Sequence, residues 1–196
     1  MPGKANSTLI SKRGLDLTLA LVLAVPAAAI CLMVSPVIRR DGGPVIFRQV
    51  RLGTNGRPFT VYKLRTMLVG TGDSPSHETP TSAINPVGRT LRRLKIDELP
   101  QILNVLRGEM SFVGPRPGLP QQTELARERR SRGVDSLTPG ITGVAQVRGL
   151  DMSQPAALAR ADAEYLGPWS LRRDLRLLWA TVRGGGRGDA AMGARP

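Results

Sequence analysis

The longest apolar run of the chain lies near its N-terminus. Leu17–Val34 contains no charged residue, and the longer stretch Leu15–Ile38 has 24 residues with Asp16 as its only charge. A run of this length is typical of a segment that enters a membrane. A cleaved signal peptide is the alternative, but the run is long for such a peptide and Asp16 interrupts its start. The pattern therefore predicts a membrane helix.

Basic residues flank this run on both sides. Lys12 and Arg13 precede it, and Arg39 and Arg40 follow it. Positively charged flanks tend to stay in the cytoplasm. A helix that crosses the membrane once cannot keep both flanks there, whereas a helix that enters and turns back can. The flanks therefore favour a re-entrant helix, with a simple span as the alternative.

Pro26 lies near the middle of the run and can kink a helix there. The two arms, Lys12–Val25 and Ala27–Ile38, would measure roughly 21 Å and 18 Å, both shorter than a hydrocarbon core of ~30 Å. A break at Ser35-Pro36 instead would leave one arm of roughly 33 Å, which is long enough to span. The lengths favour Pro26 as the membrane hinge and leave Ser35-Pro36 as the alternative.

The hydrophobic pattern changes after residue 43. Val45–Phe47 and Phe59–Tyr62 are short runs of β-forming residues, and the segment between them contains the turn-forming pair Asn55-Gly56. These features predict a small β-hairpin. The segment Val69–Pro86 is rich in Gly, Ser, Thr and Pro, which predicts a loop.

Helical spacing dominates the rest of the chain. Apolar residues recur at intervals of three and four within Val87–Leu106, and Pro100 divides this segment so that a second helix begins near Asp97. Gln121–Ser131 is expected to form a polar helix. Leu171–Val182 has one apolar face that contains Trp179, which suits either a helix in the membrane interface or a helix packed on the core.

The predicted fold class is α+β and mainly helical. It has an N-terminal re-entrant membrane helix, a small β-hairpin, and a helical catalytic core with interfacial amphipathic helices. Residues 1–43 form the membrane helix with its basic flanks, residues 44–183 form a cytoplasmic catalytic domain, and the Gly-rich residues 184–196 form a disordered tail.

Composition narrows the chemistry. The chain has 196 residues, and 28 Lys plus Arg against 15 Asp plus Glu give a net charge of +13. That charge predicts an anionic partner, such as nucleic acid, phospholipid or a phosphorylated substrate. A single cysteine, Cys31, and a single histidine, His77, exclude a disulfide framework and metal sites built from these residues. Catalysis must then depend on carboxylates, Arg, Lys and the backbone.

The pair Asp97-Glu98 at a predicted helix start is the candidate catalytic centre. A carboxylate in that position can be an ordinary helix cap. However, a carboxylate pair can also hold Mg²⁺ with a bound diphosphate, and guanidinium groups bind phosphate in a bidentate manner. Five basic residues are candidates for binding those phosphates: Lys63, Arg65, Arg92, Arg93 and Arg116. With the membrane helix, this set suggests a reaction between a soluble nucleotide compound and a lipid phosphate.

Seven motifs, in order, resemble those of the bacterial sugar transferase family, the monotopic phosphoglycosyl transferases. They are Lys12-Arg13 with Asp16, Phe47-Arg48-Gln49, Tyr62-Lys63-Leu64-Arg65-Thr66-Met67, Asp97-Glu98-Leu99-Pro100-Gln101, Asn104-Val105-Leu106-Arg107-Gly108, Ser111-Phe112-Val113-Gly114-Pro115-Arg116-Pro117 and Pro139-Gly140-Ile141-Thr142-Gly143. The resemblance extends from about Lys12 to about Trp179.

The resemblance implies transfer of a sugar 1-phosphate from a UDP-sugar to a polyprenyl phosphate such as undecaprenyl phosphate. It implies that UMP is released, that Mg²⁺ is required, and that the enzyme lies on the cytoplasmic face of the bacterial inner membrane, against phospholipids. This is the first membrane step of glycoconjugate assembly.

The family's catalytic residues fall on Asp97 and Glu98, with Asp97 as the nucleophile that forms a phosphosugar intermediate and as the expected metal ligand. Its other site residues fall on Lys63, Arg92, Arg116 and Asp174.

The chain departs from the family pattern at three positions. Pro26 falls about one turn before the usual kink, Lys95 replaces a small polar residue, and Val144 replaces Trp. The sugar, the glycan pathway and the oligomeric state, including a homodimer, stay open. Two other functions also stay open: a membrane-tethered nucleic-acid-binding protein, disfavoured by the 4% aromatic content, and an inactive family member that acts as a scaffold.

Overall fold

The computed structural model describes residues 3–71 and 81–184; the side chains of residues 3–10, 41 and 81 are outside that description. The predicted tail beyond Gly184 and most of the predicted loop, with His77, also lie outside the described residues.

Within the described ranges the fold is α+β and mainly helical, as predicted. The α-helices there are α1 (Gly3–Ile38), α2 (Pro86–Arg93), α3 (Ile102–Arg107), α4 (Thr123–Ser131), α5 (Val144–Val147), α6 (Pro155–Ala163) and α7 (Leu171–Val182). The strands are β1 (Ile46–Leu52), β2 (Pro58–Leu64), β3 (Ser111–Val113) and β4 (Gly140–Thr142).

Helix α1 contains the predicted membrane segment. It runs for 36 residues without interruption through Pro26 and Pro36, so the structure has one helix where the sequence suggested two arms. Ser11–Ile38 is long and apolar enough to cross a membrane, and only 11% of its most apolar window is buried. The membrane course of this helix, and Pro26 as its hinge, stay predictions.

Both ends of α1 are attached to the rest of the domain. Near its start, Arg13 donates from Nη1 to the carbonyl of Val105 at 2.6 Å and from Nη2 to that of Leu106 at 2.9 Å, at the end of α3. At its other end, Ile38 is buried and packs with Leu64 of β2 and with Leu91 of α2. The helix is therefore part of the folded domain at each end.

The predicted hairpin is confirmed. Strands β1 and β2 pair antiparallel from Ile46 opposite Leu64 to Leu52 opposite Pro58. The connection contains Asn55 at φ 56°, a left-handed conformation that Asn tolerates better than most residues. The hairpin packs on a 3₁₀ turn, Ile96–Gln101, and so places β2 beside the predicted catalytic pair.

A second, two-stranded sheet was not predicted. Strands β3 and β4 pair in parallel, with Ser111 opposite Gly140 and Val113 opposite Thr142. The backbones approach so closely that a Cβ on Gly140 would lie 2.1 Å from the amide nitrogen of Gly114. Glycine is therefore required at Gly140, and the contact fixes the segment that carries Arg116.

Helix α7 has the bounds that the sequence predicted. Its apolar side chains Leu171, Leu175, Trp179 and Val182 are 45%, 51%, 58% and 79% exposed. Most of this face is thus left uncovered by the described residues, although Leu178 packs partly on the core.

Candidate active site

The carboxylate pair lies where a short helix meets a 3₁₀ turn. After α2 the chain turns at Lys95, which has φ 56° and ψ 21°, and continues into the 3₁₀ turn Ile96–Gln101, which leads directly into α3. Asp97 and Glu98 occupy the first turn, as predicted, and are only 8% and 9% exposed. Two adjacent carboxylates are therefore taken almost completely out of water.

Glu98 is held by cations from two other segments. Its Oε1 accepts hydrogen bonds from Nη1 and Nη2 of Arg116, each at 3.0 Å, and from Lys63 Nζ at 3.3 Å. Burial alone would raise the pKa of Glu98, but the charges of Arg116, Lys63 and Lys95 outweigh it and lower that pKa to about 2. Glu98 is thus a permanent anion whose charge keeps its cations in place.

Asp97 has a different environment. Its carboxylate forms no hydrogen bond or ion pair with any residue in the part of the chain that the structure describes. Burial, and then the charge of Glu98, raise the pKa of Asp97, although Lys63, Arg92 and Arg116 oppose the shift. Its oxygens are therefore unused by the fold and only partly solvated, as a carboxylate nucleophile requires.

The predicted phosphate-binding residues Lys63, Arg92 and Arg116 do meet at this pair. Arg92 Nε donates to Thr66 Oγ1 at 2.9 Å, which orients its guanidinium on the side of Asp97. Guanidinium and ammonium groups in a site of low water content attract phosphate oxygens strongly. The geometry can therefore reduce the repulsion between the Asp97 carboxylate and an incoming diphosphate.

Among the described residues no three His, Cys, Asp or Glu side chains form a metal cluster. Mg²⁺ commonly takes one or two carboxylates and completes its shell with waters and substrate phosphates. The buried Asp97, whose oxygens have no partner in the described structure, fits such a donor set together with the phosphates of a substrate.

Arg65 does not point to this pair. Its Nη2 donates to the carbonyl of Ile38 and its Nε to that of Pro44, both at 2.7 Å, and its Nη1 donates to that of Met67 at 3.1 Å. These bonds connect the end of α1 to the hairpin, and the contact of Arg65 with substrate stays a prediction.

Asp174 also lies outside the cluster. It is completely buried, and its Oδ2 accepts from Lys12 Nζ and from Trp169 Nε1, each at 2.8 Å, while its Oδ1 accepts from the Tyr165 hydroxyl at 2.7 Å. Lys12 Nζ also donates to Ser111 Oγ at 2.7 Å. These bonds join α1, β3 and α7 around Asp174, and its contact with substrate stays a prediction.

Lys95 and Val144, the two residues that differ from the family pattern in this domain, lie in different places in the structure. Lys95 adopts the left-handed turn conformation that short polar residues prefer, and its charge helps to lower the pKa of Glu98. Val144 begins α5 and packs, partly buried, between two apolar clusters.

Comparison with known proteins identifies the family. The chain belongs to the bacterial sugar transferase family, whose model matches residues 7–187. "Uncharacterized sugar transferase EpsL" of Bacillus subtilis (strain 168) is 42% identical, over 89% of this chain and 87% of that protein. "UDP-glucose:undecaprenyl-phosphate glucose-1-phosphate transferase" of Caulobacter vibrioides is 40% identical, over 88% of this chain and 68% of that protein.

Some relatives are much longer than this chain. "Undecaprenyl-phosphate glucose phosphotransferase" of Komagataeibacter xylinus is 38% identical over 89% of this chain, but the match covers only 36% of that protein. The chain therefore corresponds to one part of these longer relatives and to most of the shorter ones.

Proposed function

We propose that this protein transfers a sugar 1-phosphate from a UDP-sugar to undecaprenyl phosphate through a covalent intermediate on Asp97. The observation that carries the proposal is the contrast within the carboxylate pair. Glu98 is bound by Lys63 and Arg116, whereas Asp97 is buried beside the same cations with its oxygens unengaged. The names of relatives support the two substrates.

In the first step, an Asp97 oxygen attacks the phosphorus that bears the sugar. The bond from that phosphorus to the bridging oxygen breaks, and UMP leaves with the bond's electron pair. Lys63, Arg92 and Arg116 bind the phosphate oxygens and offset their charge. Mg²⁺, held by Asp97 and the diphosphate, would further neutralise the leaving phosphate.

In the second step, an oxygen of undecaprenyl phosphate attacks the same phosphorus. The bond between phosphorus and the Asp97 oxygen breaks, and the carboxylate is regenerated. The product is a polyprenyl diphosphate sugar. This reaction suits the first membrane step of polysaccharide assembly, and UDP-glucose is the first donor to test because relatives are named for it.

The membrane arrangement is part of the proposal. Arg13 and Ile38, at the two ends of the apolar segment, both contact the same domain. A single crossing would put those ends on opposite sides of the bilayer, so their common attachment supports a re-entrant course. The exposed apolar face of α7, with Trp179, fits the interface of the same membrane. We place the domain on the cytoplasmic face of the inner membrane.

Intact mass spectrometry tests the covalent step. Purified protein is incubated with UDP-glucose and Mg²⁺ without acceptor, and we expect a mass increase of one glucose phosphate with release of at most about one equivalent of UMP. Adding undecaprenyl phosphate should remove the adduct. Asp97→Asn should form none, because an amide is a poor nucleophile. Asp97→Glu tests geometry, since one added methylene displaces the attacking oxygen.

Three outcomes would contradict the proposal. Release of UDP in place of UMP would show cleavage at the sugar carbon and reject the reaction class. An active Asp97→Asn enzyme without adduct would keep the class but reject Asp97 as nucleophile. Absence of turnover and of adduct with every UDP-sugar in a donor panel would favour an inactive scaffold.

A further inference from the structure

A small, partly open cleft lies next to Glu98 and Arg116, on the side formed by α4, α5 and α6. Three residues that line it each have a buried side-chain oxygen that accepts no hydrogen bond: Oε2 of Glu98, Oε1 of Gln146 and Oδ1 of Asp162. Their residues are 9%, 7% and 1% exposed. Buried acceptors without a donor are costly, and three around one cleft indicate a shared binding role.

In Gln146 and Asp162, the other polar atom of the same side chain makes the hydrogen bonds that hold the unpaired oxygen in place. Gln146 donates from Nε2 to the carbonyl of Ile141 at 3.0 Å, which leaves its Oε1 available as an acceptor. Asp162 uses Oδ2 for both Nε and Nη2 of Arg129, at 3.0 Å and 2.6 Å. Arg129 in turn donates from Nη1 to the carbonyl of Arg116 at 2.8 Å. Lys95, Arg116 and Arg129 also line the cleft, but Arg116 is already bound to Glu98 and Arg129 to Asp162. The oxygens without donors are therefore the groups that a ligand can satisfy.

The three unpaired oxygens favour a ligand that carries hydrogen-bond donors. A phosphate or a carboxylate brings only acceptors, and a polyprenyl chain brings no polar group. A sugar brings several hydroxyl donors and also C–H faces, which suit the apolar side chains Leu150, Met152 and Leu158 in the same cleft. Because Glu98 and Arg116 belong to both places, an occupant of the cleft lies beside the phosphate-binding cations.

We propose that this cleft is the sugar subsite, in which Glu98, Gln146 and Asp162 accept hydrogen bonds from hydroxyl groups of the donor sugar. The inference rests on the proposed function, because it requires a UDP-sugar whose phosphates bind at Asp97. It makes Gln146 and Asp162 specificity-determining residues. It also predicts preference for a neutral sugar over a uronic acid, whose carboxylate would meet two carboxylate side chains.

Steady-state kinetics with the full-length protein in nanodiscs tests the subsite. The assay compares kcat/KM for UDP-glucose with values for its 2-, 3-, 4- and 6-deoxy analogues, with UMP release as the readout. In Gln146→Met we expect kcat/KM for UDP-glucose to fall about tenfold, as for one lost buried hydrogen bond. At least one deoxy analogue should lose a similar factor with wild-type protein and lose nothing further with the variant. Gln154→Met, on an exposed glutamine outside the cleft, is the matched control.

Binding measurements separate the sugar from the nucleoside. Ribose and uracil also bring donors, so calorimetric affinities for UMP and for UDP-glucose are compared in wild type, Gln146→Met and Asp162→Asn. We expect UMP to bind equally to all three and UDP-glucose to bind more weakly to the variants. Loss of UMP affinity in step with UDP-glucose would place the nucleoside in the cleft and overturn the proposal.

The outcomes distinguish this inference from the proposed function. If wild type and Gln146→Met release UMP with the same kcat/KM for every analogue, the subsite is rejected while the transferase remains. If wild type binds UDP-glucose but releases no UMP, the reaction is rejected, and the affinities alone decide the subsite. Thermal unfolding of each variant checks that it is folded. If Asp162→Asn is unfolded because it has lost the ion pair with Arg129, the results with Gln146→Met alone decide whether the cleft is the sugar subsite.

Discussion

The two neighbouring carboxylates should change stability in opposite directions when each is replaced by its amide. In Glu98→Gln, the partners Lys63 and Arg116 lose the anion that they share in a buried site. The drop in the pKa of Glu98 from 4.5 to about 2 corresponds to about 3 kcal/mol of stability at neutral pH. For a chain of this size, that loss lowers Tm by about 6–12 °C.

Asp97→Asn should do the reverse. The folded-state pKa of Asp97 is raised, chiefly by burial, so the ionised group costs stability at neutral pH, and that cost disappears only as the group protonates. Its carboxylate also has no partner in the described structure that would be lost. We therefore expect Asp97→Asn to unfold at a higher Tm than wild type.

Differential scanning fluorimetry of the protein in nanodiscs at pH 7.5, at one scan rate, measures both changes. Glu124→Gln, an exposed glutamate at the start of α4, is the control and should change Tm by no more than about 2 °C. The reasoning is refuted if Asp97→Asn destabilises the protein as much as Glu98→Gln. It also fails if Glu98→Gln unfolds with the Tm of the control.

The acid limb of the pH profile gives an independent check. The folded-state pKa of Glu98 lies below its unfolded value of 4.5. Its contribution to stability is therefore complete above pH of about 4.5 and is lost as pH falls towards about 2. The difference in unfolding free energy between wild type and Glu98→Gln should shrink across that window.

Three further predictions follow from the structure. Chelation with EDTA should abolish turnover and Mg²⁺ should restore it, whereas full activity after chelation would reject the metal. In a Cys31→Ser background, single cysteines at Ser7 and Gly43 should resist a membrane-impermeant thiol reagent in intact cells; labelling at Gly43 would reject the re-entrant course. Asp174→Asn should destabilise the protein by about 2 kcal/mol, because Lys12 loses its nearer anion at 2.8 Å and keeps only Asp16 at 3.7 Å, and an unchanged Tm would contradict that role.

Sequence patterns predicted the elements that have a strong periodic or turn signal. Helix α7 was predicted from Leu171 to Val182 because its apolar face repeats over three turns, and the hairpin because Asn55-Gly56 separates two β-type runs. Strands β3 and β4 were missed because each has three residues, too few to show alternation. Their pairing depends on a close backbone approach at Gly140, which local sequence does not reveal.

Some features of the candidate site could be predicted from the sequence, and others could not. Asp97 and Glu98 could be selected as candidates because adjacent carboxylates at a helix start, with cations nearby, have a recognisable chemistry, and the structure places the pair, buried, beside those cations. The bonds of Arg65 to backbone carbonyls could not be predicted, because a guanidinium that binds carbonyls looks, in sequence, like one that binds phosphate. Gln146 and Asp162 were not singled out, since their common cleft is formed by segments brought together only by the fold, and no sequence signal marks an acceptor without a donor.

The attachment of α1 at both ends also bears on how this protein can be engineered. Ala20 and Ala27 of that helix belong to the main apolar cluster, together with Val105 of α3 and Phe112 of β3. Deleting the N-terminal segment to obtain a soluble enzyme would therefore remove part of the apolar interior. It would also leave the buried carboxylate of Asp174 without its ion-pair partner, Lys12. A version without this apolar surface requires redesign of the exposed side chains of the helix, with its inward face retained, because the helix is part of the folded domain.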